Sequence, residues 1–182
     1  GTGCHLGPDQ ALMKFAVLNP GGRDKDQTFP DGAGKPEDPG HPPVNYHAYA
    51  ACMNGGFFRS EASLPQGTEK VLLLLRKRNL RKVLETLPAL RRGGARVFIS
   101  CKESGSHQVA ELLGDVTRWQ LFQEICSAAD GAIASTPELV SLYRAAGCAR
   151  VDFLPTPYPV DSPAWDFSQP LEKRRGIFVG TR

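Results

Sequence analysis

Short apolar runs alternate along the chain with stretches in which apolar residues recur every three or four positions. The apolar runs are residues 15–18, 71–75, 97–100, 132–134 and 151–154, each of strand length. Residues 71–75 (Val-Leu-Leu-Leu-Leu) are apolar without interruption, which predicts a strand buried on both faces. Leu80, Val83, Leu84 and Leu87 recur at helical spacing behind Asn79, a residue suited to capping. Pro88 should kink or end this helix, and Gly93-Gly94 should close the segment. From 104 to 129 the apolar positions Leu112, Val116, Trp119, Phe122, Cys126 and Ala129 keep a helical period. Gly114-Asp115 divides that stretch into two helices, with Asp115 capping the second. Ser135 or Thr136 caps a further helix, Pro137 suits its first turn and Gly147 closes it. Residues 46–57 read as a short helix with Tyr46, Tyr49, Ala50 and Met53 on one side. This alternation predicts an α/β domain, a Rossmann-like doubly wound parallel sheet with right-handed crossovers.

The ends of the chain read differently from its middle. Residues 1–13 precede the first strand and read as an upstream extension expected to be disordered, and the first twelve lack the basic start and apolar run of a signal peptide. Residues 14–160 form the Rossmann-like domain. Within it, residues 19–43 are rich in Gly, Pro and Asp, and a loop of that length tends to be functional or mobile. After Leu154 the residues Pro155, Pro157, Pro159, Pro163 and Pro170 interrupt a polar stretch, and 161–175 read as an interdomain linker. Residues 176–182 resume a buried-strand pattern (Gly-Ile-Phe-Val-Gly-Thr-Arg), which predicts the first strand of a second, truncated domain.

Charge and cysteine usage narrow the function classes. The 22 basic and 19 acidic residues leave a formal charge of +3, which does not suggest nucleic-acid binding. No apolar stretch reaches the ~20 residues of a membrane span. Cys4, Cys52, Cys101, Cys126 and Cys148 are scattered without a C-x-x-C pair, which reads as thiols in a reducing cytoplasm. His41 and His47 lack partners at ligand spacing, so no metal site is expected. Gly34-Lys35 is not a P-loop, because Phe29 stands at the first glycine position and Pro36 at the Ser/Thr position. No G-x-G-x-x-G follows the first strand, which argues against a nicotinamide-linked enzyme.

The far end of the domain carries a family signature. Ala129-Asp130-Gly131-Ala132-Ile133-Ala134-Ser135-Thr136-Pro137-Glu138-Leu139, then Leu142-Tyr143, Gly147 and Phe153-Leu154-Pro155, lead through a proline-rich hinge to Ile177-Phe178-Val179-Gly180-Thr181-Arg182. This succession resembles the hinge of GT-B glycosyltransferases of the group-1 type. Residues 14–22 also fit that family's first strand and glycine-bearing loop. Thr156-Pro157-Tyr158-Pro159 stands where the family usually has Asn-Gly, and residues 71–101 contain no histidine. The resemblance implies the N-terminal, acceptor-side half of a two-domain cytoplasmic enzyme. Such an enzyme transfers a sugar from a nucleotide-sugar donor to a hydroxyl acceptor, for instance a cell-envelope or lipid-linked glycan, and it uses no cofactor. On this view the chain by itself is inactive, because the family's main donor site lies in the other half.

In open parallel sheets, ligands bind beyond the carboxyl ends of the strands. That rule selects Gly21, Gly22 and Arg23 after the first strand, Arg76 after the second, Lys102 and Ser104 after the third, and Ser135 and Thr136 after the fourth. The glycine pair allows backbone N–H groups to approach a diphosphate, and the resemblance implies that contact. Arg76, Lys77, Arg78 and Arg81, with Lys82, crowd a helix start, against a local preference for negative charge of ~0.3–1 kcal/mol per residue. They are candidates for an anionic acceptor or for peripheral contact with the inner face of a membrane. Glu103 and His107 are the catalytic candidates by position. Glu103 and Glu111 have the spacing of the family's E-x7-E donor motif, but they lie upstream of the Val-Gly-x-Arg strand instead of downstream. The competing reading is a non-catalytic α/β module that binds an anion, a nucleotide or a protein partner.

Overall fold

In the computed structural model, residues 12–30, 45–157 and 170–173 are described. Each apolar run becomes a strand: β1 (Ala16–Leu18), β4 (Lys70–Leu75), β5 (Arg96–Cys101), β6 (Gly131–Ala134) and β7 (Val151–Phe153). Two further strands were not expected, β2 (Gln27–Thr28) and β3 (Gly56–Phe58). The helices are α1 (Asn45–Cys52), α2 (Leu80–Arg92), α3 (Ser106–Leu112), α4 (Val116–Ala128) and α5 (Pro137–Ala145). The expected upstream extension up to residue 11, much of the glycine-rich loop, most of the linker and the strand at 176–182 lie outside the described residues. Of the linker, Leu171–Lys173 forms one 3-10 turn.

The seven strands form one sheet in the order β2-β3-β1-β4-β5-β6-β7. All neighbouring pairs are parallel except β2 with β3. This is a mostly parallel α/β sheet flanked by helices, consistent with a Rossmann-like fold. From β1 the chain goes one way to β3, then returns to the other side at β4 and continues outward to β7. The topological switch point therefore lies between β1 and β4.

Alternation along the strands assigns the two faces. Val71, Leu73 and Leu75 of β4 join Val97, Ile99 and Cys101 of β5 beneath α2, α4 and α5, whose Val83, Leu87, Phe122, Ile125, Leu139 and Tyr143 complete that core. Leu72 and Leu74 face the other way, with Val17 and Phe57, toward Tyr46, Tyr49, Ala50 and Ala51 of α1. All five residues of the Val-Leu-Leu-Leu-Leu run are fully buried, at 0% exposure. That agrees with a central strand covered on both faces.

Three local expectations changed. The predicted helix 46–57 stops at Cys52, because Asn54 takes φ 48° and Gly55 packs so closely on the Phe15 carbonyl that a side chain would collide. The chain then enters β3 beside β1. Pro88 lies on the exposed side of α2, and the helix continues to Arg92, anchored from beneath by buried Val83 and Leu87. Asn79 occupies the position before α2, yet its side chain makes no capping bond. Asp115 and Thr136 do cap their helices, accepting the backbone N–H of Arg118 at 2.8 Å and of Leu139 at 3.3 Å.

Candidate functional site

A cleft of about 480 Å³ opens over the switch point, at the carboxyl ends of β1, β4 and β5. Its walls are the loop after β1 (Pro20, Gly21, Arg23, Asp24), the loop after β4 (Arg76, Lys77, Arg78, Asn79) and Lys102 and Glu103 after β5. Gln108, Glu111 and Leu112 of α3 close the far side. This is where an open parallel sheet offers a ligand converging backbone groups without a strand in the way.

The loop after β1 depends on its glycines. Gly21 has φ +76°, which L side chains rarely adopt, and open space surrounds the place where a side chain would be. At Gly22 a Cβ would collide with the Asn19 carboxamide. Asn19 itself is wholly buried, and neither of its amide atoms has a hydrogen-bond partner among the described residues. Leaving such a group unpaired costs about 1–3 kcal/mol.

Two buried groups fix the other loops. Asn79 Nδ2 donates to the carbonyls of Pro20 (3.1 Å) and Leu74 (3.0 Å), and its Oδ1 accepts the Arg76 N–H (2.8 Å). At the end of β5, one tyrosine from each face holds Cys101. The Tyr46 hydroxyl of α1 donates to the Cys101 carbonyl at 2.6 Å and lies 2.9 Å from Ser100 Oγ. The Tyr143 hydroxyl of α5 accepts the Cys101 N–H at 2.6 Å. Lys102 follows directly, its N–H donating to the Leu75 carbonyl at 2.9 Å. Burial raises both phenols far above their ordinary range, so they remain hydroxyls. Burial likewise pushes the Cys101 thiol up to about 11.

Charge in the cleft is unbalanced. The cations Arg23, Arg76, Lys77, Arg78 and Lys102 face the carboxylates Asp24, Glu103 and Glu111. Among described residues only Lys77 is paired, with Glu111 at 3.4 Å, and both side chains are about half exposed or more (49% and 63%). Such a pair contributes little. The remaining four cations are unneutralised by ion pairs with described residues, and guanidinium groups suit bidentate contact with phosphate or carboxylate oxygens.

The sequence candidates divide accordingly. Gly21, Arg23, Arg76, Lys102 and Glu103 line the cleft together with Lys77 and Arg78. Gly22 lies under the loop against Asn19 and does not line it. Ser104 and His107 are exposed and lie outside the lining, as does Arg81. Thr136 is engaged as the cap of α5, and Ser135 stands beside it after β6, away from the cleft. Asp24, Gln108 and Asn79 join the lining without a sequence signal for it, and the position of Asn79 before a helix points only to a cap. Among the described residues no group of His, Cys, Asp and Glu could hold a metal ion, and no helix is long and apolar enough to cross a membrane. The arrangement can bind and orient an anion, and Asp24, Glu103 and Glu111 are the carboxylates that line the same cleft. Comparison with protein-family models, with curated proteins and with solved structures gives no match for this chain.

Proposed function

We propose that the cleft over the β1–β4 switch point binds a phosphate-bearing ligand. On this reading the chain is the acceptor-side half of a nucleotide-sugar-dependent glycosyltransferase. The observation that carries it is the convergence of Arg23, Arg76, Arg78 and Lys102, without ion-pair partners among described residues, on one cleft beside a glycine loop. The hinge-like succession from Ala129 to Arg182 supports the family reading independently of the cleft. The loop of Gly21 would face the donor diphosphate, and Glu103 with Gln108 would contact acceptor hydroxyls. The departing diphosphate would be stabilised by the cations of the cleft.

Binding is tested by titrating the ¹⁵N-labelled chain with pyrophosphate and with UDP at constant ionic strength. Amides at 21–24, 76–79 and 102–103 should shift together and saturate. Shifts scattered over the surface, or none at millimolar ligand, would overturn the site. The family reading is tested in the gene: a second α/β unit with an E-x7-E pair beyond residue 182 is expected. A frame that ends there, on a chain that binds pyrophosphate, would leave an anion-binding module in its place.

A further inference from the structure

Asn79 is placed where a helix cap belongs, and its carboxamide is used elsewhere. The side chain is buried, and its two donated bonds and one accepted bond all go to backbone: the Pro20 carbonyl, the Leu74 carbonyl and the Arg76 N–H. These points belong to three segments: the loop after β1, the end of strand β4 and the loop that follows it. The ladder between β1 and β4 registers Ala16 to Leu18 against Val71 to Leu73 and goes no further. Beyond it, Asn79 to Pro20 is the only side-chain hydrogen bond among described residues that joins the two loops. Pro20 has no N–H of its own, so its carbonyl is the polar backbone group it can offer. The task needs two donors and one acceptor at the reach of a single methylene. Aspartate lacks the donors, serine and threonine have one, and glutamine is a methylene too long.

Resting on the cleft as a ligand site, we propose that Asn79 is its positioning residue. It locks the loop bearing Gly21 and Arg23 to the loop bearing Arg76 and Arg78, so that cations from two strands address one ligand. Asn79 touches the ligand nowhere in this account; it acts through Pro20 and Arg76.

Two variants separate the bonds. Asn79→Ala removes all three. Asn79→Asp keeps an oxygen for the Arg76 N–H but sets an oxygen against the Pro20 and Leu74 carbonyls. In the ligand-free ¹⁵N-labelled chain at pH 8, Asn79→Asp should speed exchange of the Gly22 amide, which donates to the Asn19 carbonyl, by about tenfold or more, with the Arg76 amide still protected and amides 97–99 unchanged. Changes confined to 76–80 would overturn the proposal. If Asn79→Ala fails to fold, Asn79→Asp and Asn79→Ser still decide it. Pyrophosphate affinity then separates this proposal from the ligand site itself. Loss of affinity in Arg76→Ala without loss in Asn79→Asp sinks the positioning role alone. No loss in Arg76→Ala sinks the ligand site, while the exchange data still judge whether Asn79 joins the loops.

Discussion

Residues 71–75 and 76–79 are consecutive, and they are held by opposite means. The first five are buried by apolar side chains on two faces, and their position follows from the area they remove from water. The next four are polar, and their position follows from a few directed hydrogen bonds made by one buried carboxamide. Apolar burial is nondirectional and tolerates small changes of register in what it covers. A hydrogen bond from Asn79 to Pro20 does not. The fold is therefore insured by many weak contacts, whereas the geometry of the cleft depends on single groups. Stability and binding should accordingly respond to different substitutions.

The largest effect expected from breaking this contrast is in the strand. Leu73→Ala opens a cavity between β4 and the helices above it and should cost about 2–5 kcal/mol in urea unfolding, whereas Arg76→Ala should stay within about 0.5 kcal/mol of the parent. Equal losses from the two would erase the distinction. Next comes the clamp on β5. Tyr143→Phe keeps the ring packed on Phe122 but leaves the buried Cys101 N–H without its acceptor, at a cost of about 1–3 kcal/mol. It should also loosen Lys102, which is seen as faster exchange of that amide. A stability loss with the Lys102 amide unaffected would show that the clamp serves packing only.

The smallest effect depends on pH. The Asp115 carboxylate accepts the backbone N–H of Arg118 and pairs with its guanidinium, which holds its pKa below the ordinary value of 3.8. A depressed carboxyl stabilises the fold above its unfolded pKa and loses that contribution as pH falls through its folded pKa. Asp115→Asn should therefore lower the melting temperature slightly at neutral pH, and the gap should close in strong acid. A gap that is constant with pH would assign the effect to shape instead of charge.

The same division explains what could be read from the sequence. The five runs that became β1, β4, β5, β6 and β7 announced themselves because burial on a sheet needs contiguous or alternating apolar residues. The caps Asp115 and Thr136 were legible because a cap acts within three residues of itself. Strand β3 was hidden, since its three residues follow directly on an aromatic helix and depend on Gly55 fitting against the Phe15 carbonyl, some forty positions upstream. Arg23, Arg76 and Lys102 could be selected from the rule that ligands bind at the carboxyl ends of parallel strands. Asn79 could not, because a local reading offers it a helix to cap, while its real partner Pro20 is 59 residues away. Tyr46 and Cys101, 55 residues apart, show the same limit.

On the proposed function, Arg23, Arg76, Arg78 and Lys102, which have no ion pair among the described residues, form a binding site distinct from the machinery that holds the fold. The most direct test is calorimetric titration of pyrophosphate into the parent chain and into Arg76→Ala/Lys102→Ala, with unfolding of both measured in the same buffer. Each lost charge-assisted bond is worth about 1.5–3 kcal/mol, so affinity should fall by at least about a hundredfold with the unfolding midpoint nearly unchanged. Unchanged affinity, or a fall that tracks lost stability, would contradict it.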